Sequence, residues 1–277
     1  MHTALPALLA IAAAFFVAFG SGIRQQATML SPRITVRWLV GAAVAFFGFA
    51  LQMLALALGS VLLVQPLMVL SVLFALPIDR WLTDRVPSRV QWLWGVLLTI
   101  GVVLFVAFAD PVPARTGRHR WVIILVTTLL LLILAAMVVW AERSRRAPRA
   151  LLYGTVAGSL FGIAAVLMSD VGKRLSHPVE LLQHPPVYLF LVLIGAAIAA
   201  QQRAFGSGNL QQSFPAMVVA EPVVSMAMGL ALLGEKLDRH DWRTGVAIGG
   251  LVLLVVGVLQ LSRLSAARSD QAAVHAR

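Results

Sequence analysis

Glu221 lies deep inside an apolar run, in VVAEPVVSMAMGLALLGEK from Val218 to Lys236, and is the only acid in the chain so placed. An ionised side chain at the centre of a bilayer costs about 3 kcal/mol or more, so an acid kept there needs a reason. Two reasons fit. Low-dielectric surroundings favour the neutral form of a carboxyl, which lets such a group take up and release a proton near neutrality. A proton-coupled carrier or a cation site would use that property. Alternatively the acid serves its own helix. Pro222 removes a backbone donor, and Glu221 then binds groups freed there or pairs with Arg203. Ser225, one turn on, is placed either to donate to Glu221 or to bond its own backbone.

The same segment occurs earlier in the chain. Leu62 to Arg80 reads LLVQPLMVLSVLFALPIDR, and at one constant offset Gln65 falls on Glu221, Pro66 on Pro222, Ala75-Leu76 on Ala231-Leu232 and Asp79-Arg80 on Glu235-Lys236. Gln65 is an uncharged amide that either lines a cavity and binds ligand oxygens or nitrogens, or bonds across helices as packing glue. Further pairs match. Gln52, Ala55 and Gly59 repeat as Gln201, Ala204 and Gly208, and Trp92-Gly95 repeats as Trp242-Gly245. Gln52 and Gln201 sit towards helix ends, as a pair of gates or as ordinary polar ends. Phe16, Gln25 and Leu30-Ser31-Pro32 resemble Phe161, Asp170 and Leu175-Ser176-His177-Pro178. Gln25 and Asp170 are thus candidates for the two mouths of a pathway, or solvated helix ends.

The elements that must hold these residues are membrane helices. Of 277 residues 60% are hydrophobic and 12% charged, with mean hydropathy +0.90, more apolar surface than water tolerates. The expected fold is an all-α polytopic membrane protein of about nine transmembrane helices, near 4–23, 35–58, 61–79, 90–109, 121–141, 150–170, 186–205, 210–233 and 242–262. The pattern gives a first four-helix repeat in 1–110, a linking transmembrane helix and loop in 111–149, a second repeat in 150–263 and a polar tail in 264–277, expected to fray. Four crossings return the chain to its starting side and the linking helix adds a fifth. The second repeat is therefore expected upside down, an arrangement that suits alternating access to a midplane site. Fourteen of the 22 basic residues fall on one side of this topology. The positive-inside rule makes that side cytoplasmic, with the amino terminus outside and the carboxyl terminus inside. The expected location is the plasma membrane of a bacterium, in contact with membrane lipids. The net charge of +11 is read as lipid-facing loops rather than as a nucleic-acid surface. The run Glu142 to Arg149 is read as a solvated loop that fixes topology. The small residues Gly41, Gly48, Gly154, Gly158, Gly245, Gly249 and Gly250 are read as sites of close helix approach.

A four-helix unit, repeated, with a proline-containing third helix ending in LLGEK and a glycine-rich fourth, resembles the drug/metabolite transporter superfamily, nearest its EamA-like and NIPA-like branches. The resemblance covers nearly the whole chain. It implies a helical bundle around a central cavity, alternating access and transport of small organic molecules, or of Mg²⁺ in the NIPA-like branch. Two departures stand out. Many EamA-like members have ten helices. Small multidrug-resistance relatives carry an essential glutamate in the middle of the first helix, whereas Ala14 to Gly20 and Gly158 to Met168 contain no acid.

The leading expectation is a secondary transporter that exports small metabolites or amphipathic compounds, coupled to protons through Glu221. A Mg²⁺ transporter, a flippase for lipids or lipid-linked sugars, and a non-transporting membrane scaffold are the alternatives. Cysteine is absent, the six histidines are scattered, and no Gly-rich phosphate loop, GxSxG elbow or HExxH pair occurs. No cofactor, bound metal or enzymatic activity is expected.

Overall fold

A backbone in hydrocarbon must satisfy its own N–H and C=O groups, and long apolar runs do so as helices. The computed structural model describes residues 4–30, 35–83, 86–109, 120–144, 146–174, 178–206, 210–232 and 241–275, and no strand occurs among them. In chain order the helices are α1 (Ala4–Leu30), α2 (Val36–Leu58), α3 (Val61–Met68), α4 (Leu70–Thr83), α5 (Arg89–Ala109), α6 (Arg120–Arg143), α7 (Arg146–Lys173), α8 (Pro178–Leu182), α9 (Pro185–Gly206), α10 (Leu210–Leu232) and α11 (Asp241–His275). Eight stretches are long and apolar enough to cross a membrane, with Val61–Leu82, spanning α3 and α4, counted as one. A ninth apolar stretch, Ser213–Gly229 within α10, is shorter. The chain is an all-helical, multi-pass membrane protein.

Local chemistry sets several helix ends. Thr35 caps α2 by accepting the Trp38 amide at 3.2 Å. Ser88 and Gln91 form a reciprocal capping box before α5: the Ser88 amide donates to Gln91 Oε1 at 3.0 Å and the Gln91 amide to Ser88 Oγ at 3.2 Å. Pro66 cannot donate to the carbonyl one turn back, and its ring crowds that turn. The helix gives way at Val69, where the Val72 amide bonds the Val69 carbonyl at 3.0 Å, so the expected third span is two helices. Pro215 and Pro222 leave α10 continuous. The polar tail also departs from expectation, because α11 runs on to His275.

The helices group into two compact units, residues 1–59, 63–109 and 239–257 in one, and 60–62, 110–238 and 258–277 in the other. In the first, α1 lies along α2 on a seam of small residues. A Cβ at Gly41 would stand 2.8 Å from the Gly20 carbonyl oxygen, and one at Gly48 would stand 2.8 Å from the Val17 amide nitrogen. Ring contacts join α1 to its neighbours, Phe16 to Phe47 at 4.9 Å and Phe15 to Phe74 at 5.8 Å. Helices α5 and α11 cross at Gly101 and Gly250, where a Cβ on Gly101 would stand 2.6 Å from the Leu254 amide nitrogen. Gly245 and Gly249 have open space around them instead, so of the three small residues expected at close approach in α11 only Gly250 makes one.

In the second unit α7 is the central helix, buried along most of its length and packed on α9 and α10. Gly154, Gly158 and Gly162, one turn apart, meet the α10 backbone at Ser213, Met217 and Glu221. Close approach of backbones gives van der Waals contact where lipid offers no hydrophobic drive between helices. Helix α6 packs on α7 and otherwise exposes large apolar side chains such as Leu125, Leu129 and Leu132, as suits a lipid-facing helix.

A Cβ at Gly158 would overlap the Met217 carbonyl oxygen, whereas nothing lies within 4 Å of one at Gly195. Gly158→Ala is expected to destabilise the protein by about 1–3 kcal/mol through overpacking. Gly195→Ala is expected to cost nothing. Thermal unfolding of the two purified variants in detergent checks both.

Candidate functional site

Glu221 sits in the middle of α10, where a Cβ on Gly162 would stand 2.6 Å from its backbone carbonyl oxygen. With about 100° per residue, Glu221 shares a helix face with Met217, Ser225 and Met228, all buried, and lies opposite Val223 and Ala227, both exposed. The side chain therefore leaves α10 on its protein-facing side. Glu221 itself is half-buried, and among the described residues no hydrogen bond or ion pair reaches its carboxylate. Both structural explanations for the acid lose ground here. Ser225 donates to the Pro222 carbonyl of its own helix at 3.1 Å, not to Glu221. The Arg203 guanidinium lies over the Tyr153 ring, 5.9 Å from its centroid.

Gln65 occupies the matching place in α3. Val61, Leu62, Leu63, Val64 and Leu67 are all buried, so this half-helix is enclosed on every side. Gln65 is 1% exposed, and its Nε2 has no hydrogen-bond partner. An orphan buried donor costs about 1–3 kcal/mol. Gln91 makes the contrast, equally buried but bonded to Ser88. The packing-glue reading of Gln65 therefore has no bond to rest on.

Of the remaining candidates, Gln52 is buried in α2 and Gln201 is half-buried in α9, its Nε2 3.2 Å from Met217 Sδ. The Gln25 side chain lies outside the described residues, as do Glu235 and Lys236. The neighbouring Gln26 carries the contacts at this helix end. It donates to the Leu82 carbonyl and accepts from Arg37, which ties α1 to α4 and α2. At the end of α7, Asp170 is held rather than free. His184 Nε2 is 2.6 Å from one carboxylate oxygen, and Arg174 Nε is 3.6 Å from the other. Near the ends of α1 and α7 alike, then, a polar side chain meets a residue at the start of α2 or just before α9.

The Glu142 to Arg149 run is more than a solvated loop. Arg149 donates to Glu142 Oε2 at 2.8 Å, and Tyr153 donates to Glu142 Oε1. The Tyr153 ring is buried, with Arg149 and Arg203 both within 6 Å of its centre. One carboxylate, one phenol and two guanidiniums thereby join the ends of α6, α7 and α9. Sequence reading passed over Gln26, Tyr153 and His184. Their only signal was a polar side chain one or two turns from a helix end, which is too common to single out. Among the described residues no three of His, Asp or Glu gather as a metal site would require.

The chain is 30% identical to an uncharacterized protein of Corynebacterium glutamicum, in an alignment covering 94% of this chain and 96% of that one. No family model matches it. No solved structure matches it.

The three-helix lock yields an expected outcome. Tyr153→Phe and Glu142→Gln should each lower the unfolding midpoint, and the double variant should lose less than the sum of the two, because both remove one shared bond. A thermal double-mutant cycle on purified protein checks it. Additive losses would mean that the contact carries no stability.

Proposed function

We propose that this chain, which belongs to one family with the uncharacterized corynebacterial protein, is a secondary transporter of the drug/metabolite type that exports small metabolites or amphipathic compounds in exchange for protons. The observation that carries this reading is Glu221. It is an acid in the middle of an apolar helix, on that helix's protein-facing side, and among the described residues it has no cation or donor to hold it. A structural acid would be expected to have such a partner. An acid that exchanges protons and solute needs to be reachable and uncommitted.

The order of elements supports the same reading. The expected repeat would pair α1, α2, α3–α4 and α5 with α7, α9, α10 and α11, with α6 between the two sets. Nine crossings, opposite repeat orientations, an outside amino terminus and a cytoplasmic carboxyl terminus belong to this proposal. So does membership of the EamA-like or NIPA-like branch, with a plasma-membrane location. The first helix is an unsuitable place for the proton site of the small multidrug-resistance relatives. Ala13, Ala14 and Ala18 are all buried there, and Ala13 lies at the close approach to Gly48 of α2. Mg²⁺ transport fits less well, because Mg²⁺ takes several oxygen ligands and among the described residues no three of His, Asp or Glu gather.

The test uses proteoliposomes loaded with a pH-sensitive dye, an imposed proton gradient and a panel of small amphipathic solutes. Wild type is expected to dissipate the gradient faster when a transported solute is present. Glu221→Gln is expected to fall to the rate of protein-free vesicles, with its unfolding midpoint at or above wild type. Gradient dissipation equal to wild type would remove Glu221 from the mechanism.

A further inference from the structure

We propose that the Gln65 side-chain amide is a ligand-binding group whose Nε2 donates a hydrogen bond to a neutral carbonyl oxygen of the transported solute. This rests on the transporter reading and adds a substrate class to it.

Three observations carry the inference. First, Nε2 is fully enclosed and has no acceptor among the described residues. Buried polar atoms are almost always paired, so an orphan donor marks a place where a partner arrives from elsewhere. Second, the amide sits in the one span that breaks in the middle, four residues before the interruption at Val69. Irregular backbone at membrane depth is tolerated where it is buried in protein or lines a cavity, and interrupted helices are where carriers build their midplane sites. Third, the other buried glutamine near a proline, Gln91, shows what a structural role looks like in this chain, with its side chain closed onto the Ser88 backbone. Gln65 closes onto nothing.

The surroundings select the ligand chemistry. The donor needs an acceptor oxygen. Helix α3 itself, VLLVQPLM, carries no charged side chain, so it offers a carboxylate or phosphate no compensating cation. A purely cationic amine offers only donors and would leave Nε2 unmatched. A neutral amide, ester or ketone meets both conditions.

The experiment uses full-length protein in detergent and two probes, N-acetyl-leucine methylamide, which is neutral with two carbonyl acceptors, and isopentylamine, a cation with none. In wild type the first probe is expected to raise the unfolding midpoint by about 2–4 °C at tenfold over its Kd, and the second to raise it less. In Gln65→Leu the shift from the first probe should vanish, while the midpoint without any probe stays at or above wild type. Gln65→Met, a second apolar side chain of similar length, should behave alike and guards against a fault of packing in one variant. A fall of several degrees in the probe-free midpoint of both variants would show that the amide has a partner within the protein, and the proposal would fall. It would also fall if the carbonyl probe shifted all three proteins equally or shifted none. Glu221→Gln is measured alongside. If it keeps the probe shift and loses proton flux, transport and the amide site stand separately. If it keeps both, Glu221 leaves the mechanism while the binding site survives.

Discussion

A polar atom inside a bilayer has no water to bond, and that shortage governs this molecule. It obliges the backbone to close its hydrogen bonds within helices, and it makes each polar side chain at depth either paired or exceptional. Most are paired. Gln91 closes a capping box, Ser225 bonds a carbonyl of its own helix, Gln26 bridges three helices and Asp170 holds a histidine and an arginine. Among the described residues Gln65 Nε2 and the Glu221 carboxylate have no such partner, and the two fall at one offset in the sequence.

Because lipid is as apolar as leucine, the helices are held by shape rather than by hydrophobic drive. Alanine and glycine form the seams of α1 on α2, of α7 on α10 and of α5 on α11, and backbone atoms there lie almost in contact. A seam of small residues leaves no space for a carboxylate. That is a physical reason for the acid to stand on α10, on the flank of such a seam, rather than within α1. The ends of the helices work differently. There, water and headgroups are near, charged side chains reach one another, and clusters such as Glu142, Arg149, Tyr153 and Arg203 tie helices that meet only at their tips.

Considerable architecture was readable from residue order. Apolar run length located eight membrane-long stretches and a shorter ninth, though α1 and α11 run well past their expected ends, and Pro66 lies in the span that breaks, although nothing in the pattern placed the interruption at Val69. The importance of Glu221 was readable too, because an isolated acid in an apolar run stands out in any alphabet. Its lack of a partner was not. Pairing with Arg203 and donation from Ser225 were equally consistent with spacing, and both were excluded only by where those side chains go. Gly245 and Gly250 look alike as letters, yet one faces open space and the other a neighbouring backbone.

The sequence by itself determined the apolar surroundings and the element type. Each of these depends on composition along a short stretch of chain, and a run of about 20 apolar residues has few options in water or in lipid. Tertiary structure decided which polar groups are satisfied. That depends on distances between residues far apart in the chain, such as Tyr153 and Glu142 or His184 and Asp170, which no local period encodes. The difference between Gln91 and Gln65 is of this kind. They are the same side chain at similar burial, and only the position of a serine hydroxyl and a backbone amide gives the Gln91 oxygen its partners.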